Sequence, residues 1–214
     1  MFFYDVSIVI PTFNRQKFSK LIVENINSQT YPSIKEVLVG DDGDEPLDLS
    51  GCKYPIKYIK LPRISIGMKR NILCQSATSR YIAFMDTDDL YHNDYISQSV
   101  YSLNMTGKHL SGSINMLLTD LEKTYIQQCN QFIMLNEATM VFEKEYFKTH
   151  KFSSVNSGEG RLFCEEQYII HNDFLMICIA HQENTIDKKN WLKDTAVIQY
   201  NLDVYKSKID KIKM

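Results

Sequence analysis

Over the first hundred positions, short apolar runs alternate with segments of helical period. Val6 to Pro11 (Val-Ser-Ile-Val-Ile-Pro) is rich in β-branched residues and closed by a proline, which cannot donate to a sheet ladder, so it predicts a strand. From Gln16 to Gln29 the residues Phe18, Leu21, Ile22 and Ile26 recur at three- and four-residue spacing, which puts them on one helical face; Tyr31-Pro32 ends that helix. Glu36 to Val39 predicts a second strand running into Gly40-Asp41-Asp42-Gly43-Asp44, and Ile56 to Ile59 a third, bounded by Pro55 and Pro62. A helix at about Ile66 to Ala77 leads into Tyr81 to Met85, which reads as a fully buried strand and empties into Asp86-Thr87-Asp88-Asp89. Asp89 is a candidate cap for a helix from about Tyr91 to Asn104.

Strands alternating with helices imply right-handed crossovers, hence an α/β fold with a mixed, largely parallel central sheet flanked by helices. Beyond residue 105 the pattern weakens. Thr139 to Phe142 and Phe174 to Ile179 predict strands, with a helix at about Glu159 to Ile170 between them. The last 25 or so residues, with Lys188, Lys189, Lys193, Lys206, Lys208, Lys211 and Lys213, form a basic tail with no predicted fold.

At 214 residues, with no repeat, linker or low-complexity segment, the chain is expected to be one domain: a first half of about 1–105, a second of about 106–190 and the tail of about 190–214. Hydrophobic residues at 44% and charged residues at 23% are globular values, and a net charge of -2 gives no general attraction to nucleic acid. Five cysteines, Cys52, Cys74, Cys129, Cys164 and Cys178, are odd in number and scattered, which suits reduced thiols and a cytoplasmic location rather than a zinc site. No basic and apolar leader and no run of 18 apolar residues is present, so a soluble protein without a transmembrane segment is expected.

The chemistry is concentrated where strands end. Carboxylates crowded at the carboxyl edge of a sheet resist ionisation unless a cation lies between them, and oxygen ligands favour Mg²⁺ or Mn²⁺, ions that also hold substrate phosphates. The first strand delivers Pro11, Thr12, Phe13, Asn14 and Arg15, an aromatic with a guanidinium suited to a base and a phosphate. The second delivers Asp41 and Asp42, either of which could accept the imide proton of uracil. Lys69 and Arg70 open a helix at its anion-favouring end. Together they describe a pocket for a nucleoside diphosphate and a bridging metal.

These motifs, Val-Ser-Ile-Val-Ile-Pro-Thr-Phe-Asn-Arg at 6 to 15, Val-Gly-Asp-Asp-Gly-Asp at 39 to 44, Gly-Met-Lys-Arg-Asn at 67 to 71 and Asp-Thr-Asp-Asp at 86 to 89, resemble the family 2 glycosyltransferases of the GT-A fold. More narrowly, the chain is similar to compact single-domain members, some of them encoded by large DNA viruses. Gly40 departs from the apolar residue or Asp that many members carry there, without consequence for the motif.

The resemblance implies that Pro11, Thr12, Phe13, Arg15, Asp42, Lys69, Arg70 and Thr87 lie around a nucleotide-sugar donor, probed most directly by UDP. It further implies that Asp86 and Asp88 form a D-x-D pair, with Asp88 the metal ligand and Asp86 nearer the ribose. Transfer to a glycan or glycoprotein hydroxyl, with inversion, then needs a base. Glu159, in a glycine-flanked loop, is the first candidate, and Glu166, of the Glu165-Glu166 pair, the second. Without an aligned base, a retaining mechanism or loss of activity follows. His181, after a strand, is a further ligand for Mn²⁺, and Asn136 and Glu137 are placed to meet the acceptor. Two alternatives stand beside this reading: a nucleotide-sugar-binding scaffold without activity, and a haloacid-dehalogenase-like phosphatase with Asp86 as nucleophile and Asp88 as acid and base.

Overall fold

The first strand is buried along its whole length because it has a parallel neighbour on each side. In the computed structural model, residues 4–121, 124–128, 135–164, 169–170, 175–184, 196–198 and 201–212 are described. The strands are β1 (Val6–Thr12), β2 (Ile34–Asp41), β3 (Ile56–Lys60), β4 (Tyr81–Phe84), β5 (Asp89–Tyr91), β6 (Leu110–Gly112), β7 (Asn115–Thr119), β8 (Thr124–Gln128), β9 (Val141–Glu143), β10 (Ile169–Ile170), β11 (Met176–Ile179) and β12 (Ala196–Ile198). The helices are α1 (Ser19–Asn27), α2 (Ile66–Ser76), α3 (Tyr95–Thr106), α4 (Lys144–Thr149) and α5 (Lys206–Ile212).

The central sheet runs β10-β6-β9-β4-β1-β2-β3. β3, β2, β1 and β4 are mutually parallel, and β9 enters antiparallel between β4 and β6. The period of two in β1 explains the layering. Val6, Ile8 and Ile10 face a core shared with Ile22 and Ile26 of α1, whereas Val9 faces Leu73 and Cys74 of α2 and Phe84 of β4. Pro11 is tolerated because β4 pairs only with Val6 to Val9, so no ladder partner is lost on that side. Gly40 also has a reason: a Cβ there would stand 3.0 Å from the Leu73 side chain, so its absence lets α2 sit close on β2.

A second sheet, β12-β8-β7-β11-β5, was not foreseen. It corrects the expectation for Asp89. That residue is the first of β5, its side chain accepts the Ile179 N–H at 3.0 Å, and the helix begins only at Tyr95. The predicted helix over Glu159 to Ile170 is corrected as well: residues 159–163 form turns and Ile169–Ile170 are β10. Gly158, at φ 64, and Gly160 favour tight turning over helical continuation. The strand expected over Thr139 to Phe142 starts two residues late, after a 3₁₀ turn at Glu137–Thr139 capped by Asn136.

Part of the basic tail is folded. Tyr205 and Ile209 pack with Phe18, Leu21, Leu90, Ile177 and Ile179, so α5 closes the layer that carries β5 and β11. Lys188, Lys189, Lys193 and Lys213 lie outside the described residues, as do Cys129 and Phe174. The Lys208 amine is buried and donates to the Tyr91 carbonyl. Burial pushes its pKa down to about 8 from 10.5, with Glu24 pulling weakly the other way. Below pH 8 the amine is protonated in both folded and unfolded chains, so the cost is fully present; it is relieved as pH rises from 8 toward 10.5. Lys208→Met is therefore expected to show its largest stability gain over wild type below pH 8, on the order of 1–2 kcal/mol after loss of the hydrogen bond. Urea melts at pH 7 and pH 9.5 check it. A gain that does not shrink at the higher pH contradicts the assignment.

Candidate active site

The carboxyl ends of β1, β2 and β4 bring the candidate residues to one edge of the central sheet, in three groups. The first lies between β1 and β2. Asp41 is fully occupied by structure: Oδ1 accepts the Gly43 N–H at 2.8 Å and Oδ2 the Tyr58 hydroxyl at 2.6 Å. Asp42 accepts from Lys69, from the Ile64 N–H at 3.1 Å and from Arg63 at 3.2 Å. Burial opposes its ionisation, but those hydrogen bonds and the Lys69 and Arg63 charges outweigh burial and hold its carboxyl below the usual range. Lys69 also donates to the Thr12 carbonyl at 2.7 Å, and burial lowers its pKa against the pull of Asp42. Arg63 lies 3.6 Å over the Phe13 ring. Sequence reasoning missed Arg63, although it lies four residues beyond the predicted strand end at Ile59, in the kind of loop where the other strands deliver their polar groups. Asn14, at φ 49, accepts the Asp44 N–H at 2.7 Å and so ties the β1 loop to the β2 loop.

The second group is built around Arg70, which is 2% exposed. Its Nε donates to Glu159 Oε1 at 3.0 Å and its Nη2 to Asp86 Oδ1 at 3.3 Å, with the guanidinium 4.4 Å over the Phe84 ring. Burial alone would lower its pKa; Asp86, Glu159 and Glu137 raise it instead. Among the described residues, Arg70 Nη1, Thr12 Oγ1 and Asn136 Nδ2 are buried polar atoms without a hydrogen-bond partner. Such atoms are costly unless a ligand engages them. Asn136 spends its side-chain oxygen on the Ala138 N–H, and Glu137 Oε1 accepts the Gly160 N–H at 3.1 Å. Tyr91 supports the group from below: its hydroxyl accepts the Asp86 N–H at 2.8 Å and donates to the Ala138 carbonyl at 2.9 Å. Thr87 is buried beside Asp86.

The third group gathers at Asp88. Its Oδ2 meets His181 Nε2 at 2.9 Å and Arg15 Nε at 3.3 Å, and Arg15 also donates to the Phe13 and Glu183 carbonyls. The Glu183 N–H points at His181 Nδ1, 3.2 Å away, so in the neutral ring the proton sits on Nε2 and faces Asp88. Phe18 packs on the imidazole with ring centroids 4.9 Å apart. A cation would have to take the place of the Nε2 proton; Asp88 and His181 would then offer one carboxylate oxygen and one imidazole nitrogen, a donor set that suits Mn²⁺. Asp86 is drawn toward Arg70, and among the described residues no three His, Cys, Asp or Glu side chains form a metal-holding cluster. Two such donors would suit an ion that takes its other ligands from substrate oxygens, not a closed protein cage. Glu166 lies outside the described residues.

The family described as glycosyl transferase family 2 matches residues 7–150, well over half of the chain. The chain belongs to glycosyl transferase family 2. A relative from Escherichia coli, the UDP-Glc:alpha-D-GlcNAc-diphosphoundecaprenol beta-1,3-glucosyltransferase WfaP, is 28% identical over 173 residues, 74% of this chain and 56% of that protein. Other curated relatives align over 96 residues, and the chain spans only 16% of their length. Among solved structures, S. aureus TarS 1-349 in complex with UDP-GlcNAc superposes with a TM-score of 0.63 at 15% identity, over 84% of this chain and 60% of that one. The mannosyltransferase PcManGT from Pyrobaculum calidifontis, in complex with GDP-Man and Mn²⁺, gives a TM-score of 0.63 at 13% identity, over 99% of this chain and 69% of that one. At these identities the likeness is one of fold, and it is the GT-A architecture that the motifs imply. In this family 2 chain the first group, with Arg70, Asp86, Asn136, Glu137 and Asp88, falls within the matched residues, while Glu159, Gly160 and His181 lie beyond them.

Proposed function

We propose that this family 2 chain is a metal-dependent glycosyltransferase that moves a sugar from a UDP-linked donor to a hydroxyl of a glycan or glycoprotein, with inversion. The observation that carries the reading is the meeting of Asp88 Oδ2 with His181 Nε2 and Arg15 at the end of the strand β4, beside the buried Arg70. A divalent ion bound there, Mn²⁺ or Mg²⁺, would supply Lewis-acid stabilisation of the departing diphosphate. The chain's own residues do the rest. Arg15 and Arg70 bring fixed positive charge to the place where leaving-group charge develops, and the α2 N-terminus adds its amide dipoles. Pro11, Thr12 and Phe13, with Arg63 on the Phe13 ring and Asp42 behind it, form the nucleoside end.

The UDP preference is supported by relatives: WfaP is named for UDP-Glc, and TarS was solved with UDP-GlcNAc. Use of Mn²⁺ is supported by the PcManGT complex. A cytoplasmic site of action belongs to the same proposal; among the described residues no helix is long and apolar enough to cross a membrane.

The test is a calorimetric titration of the full chain with UDP, GDP and dTDP, each with and without Mn²⁺. Binding of UDP at least tenfold tighter with Mn²⁺ than without is expected. Folded protein that binds none of the three removes the donor-site reading.

A further inference from the structure

Three carboxylates surround Arg70, and they are not equivalent. Glu159 is 4% exposed, and its Oε1 is committed to the Arg70 Nε at 3.0 Å. That oxygen is already engaged by a buried guanidinium, and drawing it away would strand the cation. Asp86 is held by the other edge of the same guanidinium.

Glu137 has a different setting. It begins the 3₁₀ turn after Asn136, a turn pinned by the Asn136 side chain at the Ala138 N–H and by the Tyr91 hydroxyl at the Ala138 carbonyl. Its Oε1 takes the Gly160 N–H, and the missing side chain of Gly160 makes the approach possible: a Cβ there would lie 2.8 Å from Glu137 Cγ. Among the described residues no cationic side chain is hydrogen-bonded to it, and it is only partly shielded from solvent, unlike Glu159. Burial, and next the charge of Glu159, push its carboxyl above the usual range, with Arg70 opposing. A base whose pKa lies nearer the working pH transfers protons better.

We propose that Glu137 is the residue that takes the proton from the acceptor hydroxyl, and that Glu159 is a positioning residue that fixes Arg70 and sets the field at Glu137. The inference rests on the glycosyltransferase reading and moves the base from the residue first expected, Glu159. In the step, the acceptor oxygen forms its bond to the anomeric carbon while its proton passes to the Glu137 carboxylate. The bond between that carbon and the diphosphate oxygen breaks, and its electron pair leaves on the diphosphate. Glu137 then returns the proton to solvent.

The experiment compares wild type, Glu137→Gln and Glu159→Gln in the full chain. UDP affinity is measured by calorimetry, and UDP release from UDP-glucose and UDP-N-acetylglucosamine with Mn²⁺ is followed from pH 5 to 8, with water and free monosaccharides as acceptors. Glu137→Gln is expected to bind UDP within about threefold of wild type and to release it on the order of 100-fold more slowly. Glu159→Gln, which loosens Arg70, is expected to slow release far less than Glu137→Gln does and to move its acid limb to lower pH, because a neighbouring negative charge has gone. Unchanged release by Glu137→Gln, or an unmoved acid limb in Glu159→Gln, overturns the proposal. Where turnover is too slow to follow, carboxyl ¹³C NMR of Glu-labelled protein decides: the Glu137 signal should titrate lower in Glu159→Gln, and an unaltered titration overturns the pairing. Loss of UDP binding by wild type fails the donor reading instead, which keeps the two outcomes apart.

Discussion

Asp88→Ala should abolish the Mn²⁺ dependence of UDP binding and reduce sugar transfer by at least about 100-fold. The expectation follows from what meets at one oxygen. Asp88 Oδ2 receives both His181 at 2.9 Å and Arg15 at 3.3 Å, so it holds an imidazole and a guanidinium together. Its removal takes away an anionic metal donor and leaves the imidazole and the guanidinium with no carboxylate between them. The Asp88 side chain is only 12% exposed, so stranding its two partners should also cost stability, on the order of 1–3 kcal/mol. Asp88→Asn keeps an oxygen of the same reach without its charge and should fall between the two, retaining some affinity but little metal dependence. Calorimetry of UDP with and without Mn²⁺, beside a thermal melt, checks both variants. Wild-type metal dependence in Asp88→Ala would remove Asp88 from the metal site, whatever the effect on transfer.

The elements that build this edge were legible because their signals are local. β1, β2, β3, β4, α1 and α2 each fell within a few residues of expectation, since each is a short apolar run or a helical stripe bounded by proline, glycine or aspartate. The strand-end groups followed from that order. What was not legible depends on tertiary partners. β5 is three residues long and exists because β11 lies antiparallel to it, so Asp89 read as a cap rather than as the acceptor of the Ile179 N–H. Gly158-Glu159-Gly160 looked like a helix start because an acidic residue preceded an apolar stretch, yet the chain turns there and places Glu159 on Arg70. α5 was hidden by its lysines: Ile209, with Tyr205 just ahead of the helix, supplies the apolar contacts, and Lys208 goes inward to a backbone carbonyl, which no charge count foretells. Arg63 was missed for the opposite reason, as an isolated cation in a loop whose partners, Phe13 and Asp42, are 50 and 21 residues away in sequence.

Arg70→Met should cost more stability than any other single change in the site, about 3–5 kcal/mol at pH 7. Methionine approximates the length of the side chain and can keep its contact with Phe84, so the loss is one of charge rather than of packing. Without the guanidinium, Glu159 at 4% exposure has lost its hydrogen-bonded cation, Asp86 has lost its ion pair, and Glu137 keeps the raising effects of burial and of Glu159 while losing the one charge that opposed them. The Glu137 carboxyl, already above its unfolded value, is then pushed further above it. The sign follows from linkage: such a group binds more protons when folded, so stability falls as pH rises through the interval between the two values and recovers as pH falls. The deficit of Arg70→Met against wild type should therefore be largest near pH 7 and shrink toward pH 5. Paired urea melts at the two pH values measure it, with Asn71→Ala on the same helix as a control that removes only its hydrogen bonds with the Phe152 backbone. A deficit of equal size at both pH values would mean that Arg70 acts through packing on Phe84, and the carboxylates around it would then have to find their compensation elsewhere in the site.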